Sequence, residues 1–185
     1  MSVYDLPKSA VINGHEYTIR SDYRAALDII DVMNDKEITD EERTLIVLRI
    51  FYEDFDGLPL DDFQEALDFC IMFISGGDAY KPNKTAKLMD WKQDFQLIVS
   101  PINKIIGYEV RDVEYLHWWT FLSAYREIGD CLFAQVVSIR KKRMKGQKLD
   151  KADAQFYRDN QELIDFKHET TPEDDELFEK WGGQK

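Results

Sequence analysis

Cysteine is scarce in this chain, with two in 185 residues. Cys70 and Cys131 lie far apart, each inside an apolar helical pattern, and read as small buried hydrophobes rather than as a disulfide or a metal pair. Histidine is almost as rare. His15, His117 and His168 share no ligand spacing, so neither zinc nor any other cofactor is expected. Long apolar runs are missing too, since none nears the roughly 18 to 20 residues of a membrane span. The first residues, with Asp5 and only Lys8 nearby, lack the pattern of a signal peptide, so the expectation is a cytoplasmic protein with no membrane partner. The glycines form no phosphate loop, because Gly76-Gly77 runs into Asp78 and not into Lys-Ser/Thr. There is no Gly-x-Ser-x-Gly elbow and no Cys and His at a known local spacing. Acid pairs such as Asp61-Asp62 and Asp174-Asp175 read as caps and solvated tail rather than as ion sites. No enzyme is expected.

Positive charge is also in short supply. The 24 Lys and Arg face 36 Asp and Glu, for a net charge of −12. Between Asp31 and Asp68 thirteen acidic residues stand against Lys36, Arg43 and Arg49. That stretch repels nucleic acid and anionic membrane, and reads either as a solvated acidic face without a partner or as a surface that steers a basic one. The one basic cluster, Arg140, Lys141, Lys142, Arg143, Lys145 and Lys148, falls at the end of a helical pattern, where cations complement the helix dipole without any ligand. Nucleic acid is therefore disfavoured as a partner.

What is present is mostly helix. Ala10 to Ile19 reads as a β-hairpin around Asn13-Gly14, a dipeptide that supplies the positive φ angles of a two-residue turn. Helices are expected from Asp22 to Met33; from Thr39, with Glu42 completing a capping box and Leu45, Leu48, Tyr52 and Phe55 inward; and from an Asp61 cap to Gly76-Gly77. A loop follows over Asp78 to Lys87. Further helices are expected from Asp90 to Gly107 with a kink or break at Pro101, from Asp112 to Ile128, over Leu132 to Met144, and from Asp150 with Phe156, Leu163 and Ile164 inward. The expectation is a mainly α protein: one helical domain over 1–166 with about six to seven helices and a short N-terminal hairpin, and an acidic flexible tail over 167–185.

Candidate contact residues come from aromatic placement. Trp118 and Trp119 lie about 100° apart on a helix, so a thin core covers only one of them fully. A common stripe with Leu116 and Leu122 makes Trp119 the expected core member. Trp118, with Tyr115 and Tyr125, is the expected partner contact, joined by Phe69 and Phe73 on a helix that is apolar nearly all round. The open edges of a two-stranded hairpin make Val11, Tyr17 and Ile19 expected contacts in a homo-oligomer.

LHWWTF (Leu116 to Phe121), GDCLF (Gly129 to Phe133), the run Ile139 to Lys142 and KLDK (Lys148 to Lys151) come in an order that resembles one phage family. Its members are the small tail-assembly proteins encoded between the tail tube and tape-measure genes of long-tailed phages (siphoviruses) and prophages of Gram-positive bacteria. The resemblance extends to about Phe166. It implies a tail assembly chaperone that holds the tape-measure protein soluble while tail tube protein is recruited. That implies action in the host cytoplasm, absence from the mature virion, and no catalytic motif. The alternative is a small virion structural component such as a head-to-tail connector.

Overall fold

A computed structural model describes residues 4–78 and 87–167. Most of the loop expected over 78–87 and the tail expected over 167–185 lies outside the described residues. The protein is mostly helical with a short N-terminal hairpin.

Strands β1 (Ser9–Ile12) and β2 (His15–Thr18) pair antiparallel, with Ala10 opposite Tyr17 and Val11 opposite Glu16. Asn13 (φ 47°) and Gly14 (φ 81°) make the turn, as the dipeptide predicts. Alternation sends Ala10 and Ile12 into the core and leaves Val11 61% exposed. The chain after β2 is pinned to the end of the second helix. Ile19 bridges Tyr52, the Arg20 N–H donates to Phe51 O (2.8 Å), and the Glu53 N–H donates to Thr18 O (3.1 Å). The Arg20 guanidinium donates to the carbonyls of Arg49, Ile50 and Tyr52, satisfying acceptors that a helix C-terminus leaves open.

Eight α-helices follow among the described residues: α1 (Tyr23–Asn34), α2 (Asp40–Phe51), α3 (Phe63–Ile74), α4 (Trp91–Ile106), α5 (Trp118–Arg126), α6 (Leu132–Met144), α7 (Lys151–Asp159) and α8 (Gln161–Ile164). Short-range chemistry starts most of them. Asp22, Asp90 and Asp150 accept backbone N–H bonds as N-caps, and Thr39 with Glu42 forms the expected capping box. Gly76, Gly77 and Gly107 stand at positive φ just past α3 and α4, where a side chain would strain the backbone.

Packing overrides several sequence expectations. Residues 110–117 are not helical, and α5 begins only at Trp118. Two links hold this stretch. His117 bridges Asp22, with the Tyr23 N–H on Leu116 O (2.9 Å) and the Trp118 N–H on Ser21 O (2.8 Å). The Arg24 guanidinium takes the carbonyls of Val110, Arg111 and Val113. A short 3-10 turn over Leu60–Asp62 precedes α3, so Asp61 is not the cap, and Asp62 accepts instead from Asn13 Nδ2 at the hairpin tip. On α2 the inward residues are Val47, Leu48 and Phe51, while Leu45 faces solvent. Helix α4 runs through Pro101 without interruption, held by buried Ile98, Val99 and Ile102 on both sides of it. The last helix divides at Asn160 into α7 and α8, leaving Ile164 buried and Leu163 exposed.

The chain forms two compact units, residues 1–134 and 135–185. In the first, Tyr23, Phe51, Phe73, Trp118 and Phe121 are buried together with Ile12, Ile29 and Ile102. In the second, α6 carries Val136 and Ile139, and α8 contributes Ile164.

Candidate partner-binding surface

The two tryptophans occupy the reverse of their expected places. Trp118 is 1% exposed, with its ring stacked on Phe121 (5.8 Å between centroids) and edge-on to Trp91 (5.9 Å). Trp119 is half-buried and lies beside Phe73 (5.9 Å). The reason is where α5 starts: Leu116 is not on the helix, so the stripe defined by Leu116, Trp119 and Leu122 does not exist. Trp118, Phe121 and Ala124 face inward instead. Both indole N–H groups close the end of α3, Trp118 donating to Ile74 O (3.0 Å) and Trp119 to Phe73 O (2.8 Å). Gly77 fits under the Trp119 ring because a Cβ there would meet Cη2 at 3.2 Å.

His117 caps α5 from inside the protein. Its Nδ1 accepts the Trp119 N–H (3.0 Å), which leaves the proton on Nε2 to be donated to Pro7 O (2.9 Å). Burial pushes its pKa below the ordinary histidine value and nearby Lys8 adds to this, against the upward pull of the Pro7 carbonyl. A depressed folded pKa gives stability that is complete above the unfolded value of about 6.5 and is lost as pH falls through the folded pKa. We expect the urea midpoint to drop more between about pH 7.5 and pH 5 in the wild type than in His117→Asn, which caps a helix without titrating. Equal drops would remove His117 as the source.

Of the other expected contact residues, Phe73 is fully buried, while Phe69 and Tyr125 are half-buried. Tyr115 is exposed, with its hydroxyl 2.8 Å from Ser21 Oγ. On the hairpin, Val11 is at the surface, Tyr17 packs edge-on against Tyr52, and Ile19 is a core residue at 3% exposure. Cys70 is buried, its thiol pKa pushed up to about 12 by burial, and Cys131 is half-buried; both are free. Among the described residues no group of His, Cys, Asp and Glu is placed to hold a metal ion, and no helix is long and apolar enough to cross a membrane.

Charge divides unequally. Residues 1–134 hold 25 acidic and 13 basic side chains and residues 135–185 hold eleven of each, so the net charge of −12 belongs to the first unit. Of the thirteen acids from Asp31 to Asp68, twelve are exposed and only Asp62 is buried. Arg43 is committed to Asp40 and to the carbonyls of Asp35 and Ile38, and Arg49 to Asp56. The same stretch of chain carries the exposed apolar side chains of Leu45, Ile46 and Leu60, the last 78% exposed. Sequence counting finds the acids. The outward Leu45 and Ile46 were hidden because an apolar residue on a helix reads as core until its neighbours are placed.

The basic cluster is spent largely on structure. Arg140 is buried at 5% exposure and donates to Ile164 O (2.6 Å) and Leu163 O (2.8 Å), with its guanidinium over the Phe166 ring (4.2 Å). Lys142 pairs with Asp153, and Arg143 with Asp165 while lying over Tyr157. Lys141, Lys145 and Lys148 remain exposed.

No curated protein and no solved structure matches the chain. The family described as Bacteriophage Gp15 protein matches residues 3–166, which includes the hairpin, the acidic surface and the paired tryptophans, and the chain belongs to that family of phage proteins.

Proposed function

We propose that this phage protein is a tail assembly chaperone that binds the tape-measure protein in the host cytoplasm, assists tail tube assembly and performs no catalysis. The observation that carries the reading is the stretch from Asp31 to Asp68, where twelve acids are exposed and so are the apolar side chains of Leu45, Ile46 and Leu60. Acidic groups of this density steer a basic partner, and the apolar side chains offer it a place to lay its own apolar stripe. A long helical protein with such a stripe aggregates unless the stripe is covered. Membership of the phage family and the order of LHWWTF, GDCLF and KLDK support the choice of tape-measure protein as that partner.

Co-expression tests it. With this chain present, the neighbouring tape-measure protein should move from the pellet to the soluble fraction and co-purify. Equal solubility with and without the chain overturns the reading, and stoichiometric recovery of the chain in purified particles replaces it with the connector reading.

A further inference from the structure

The two outer edges of the hairpin are unlike. The two-residue turn makes Ile12 with His15, Ala10 with Tyr17, and Lys8 with Ile19 the pairs that exchange hydrogen bonds, and the Ile19 N–H donates to Lys8 O at 3.1 Å. Backbone groups of the residues between them point away from the ladder. On the β2 side the end of the edge is engaged, since Thr18 O accepts the Glu53 N–H and, just past the strand, the Arg20 N–H donates to Phe51 O. On the β1 side they are the N–H and C=O of Ser9 and Val11, which have no backbone partner among the described residues. Val11 is also the most exposed residue of the core-forming strand. Charge differs along this edge. Lys8 lies exposed at one end, and at the other Asn13 Nδ2 holds Asp62 Oδ1 (3.3 Å), placing the turn with exposed Asp61 beside the hairpin tip.

We propose that the β1 edge pairs with β1 of a second copy of this chain, antiparallel about a two-fold axis at Ala10. Ser9 of each copy then faces Val11 of the other, and their outward N–H and C=O groups bond in both directions. Lys8 of each copy comes level with Ile12 of the other, next to the turn that carries Asp61 and Asp62. An edge that is basic at one end and acidic at the other complements itself in this antiparallel sense and repels itself in the parallel one. Tyr17 and Ile19 take no part, because Ile19 is in the core and Tyr17 lies on Tyr52. The pairing is independent of the chaperone reading.

Light scattering on the full chain tests it. At high micromolar concentration the wild type should weigh twice the 21.8 kDa of one chain. Val11→Pro removes only an N–H that points out of the hairpin, so it should give the single-chain mass with an unchanged circular dichroism spectrum. Lys8→Glu should also yield the single-chain mass, and Lys8→Glu with Asp61→Lys should restore the dimer. If Val11→Pro unfolds the hairpin, the charge-swapped pair decides alone. A wild type that stays monomeric, or variants at Val11 and Lys8 that remain dimeric, overturn the proposal.

Discussion

Trp118→Ala is expected to cost the first unit about 3–5 kcal/mol of unfolding free energy, the range for deleting a fully buried large aromatic side chain. The change empties the space between Trp91 and Phe121 and leaves Ile74 O without the indole donor it has at 3.0 Å. Trp119→Ala is expected to cost about 1–2 kcal/mol, because its half-buried ring gives up less apolar area. Phe73 O also keeps a backbone donor, the Gly76 N–H at 3.0 Å. Urea titration followed by circular dichroism reads both. Equal losses, or a larger loss for Trp119→Ala, would show that the buried stripe of α5 does not run through Trp118, Phe121 and Ala124.

Arg140→Ala is expected to destabilise the second unit by about 2–4 kcal/mol, since two carbonyls lose a charged donor and the guanidinium stem leaves a gap. The carbonyls belong to Leu163 and Ile164, so the loss should appear first as faster amide exchange over α7 and α8. Arg140→Lys should recover little of it, because an ammonium cannot serve two carbonyls through a planar fork while lying flat on Phe166. Full protection of 151–165 in Arg140→Ala would make the clamp incidental.

Much of the fold was legible in the sequence. Asn13-Gly14 made a hairpin, Asp22, Asp90 and Asp150 capped helices, Thr39 and Glu42 formed a capping box, and Gly76-Gly77 and Gly107 followed helix ends. Each rests on bonds between residues no more than a few positions apart, so the chain's own order decides them. The acidic surface was equally legible, since twelve of thirteen charged carboxylates from Asp31 to Asp68 stay in water.

Long-range pairing decided the rest. The helix expected from Asp112 is absent until Trp118, because the stretch before it finds its hydrogen bonds on Ser21, Asp22 and Arg24, some ninety residues earlier. That late start rotates the buried stripe of α5 and exchanges the places of Trp118 and Trp119. Leu45 turned outward on α2 for a similar reason, since the phase of a helix is set by what packs on it and not by its apolar content. Arg140 looked like one more cation at a helix end until α8 brought two open carbonyls to it. Sequence alone thus determined the hairpin turn, the capped helix starts, the glycine-marked helix ends and where charge lies, through local hydrogen bonds and solvation. Only the tertiary structure decided which face is buried and which polar groups are spent, because those outcomes depend on partners far away in the chain.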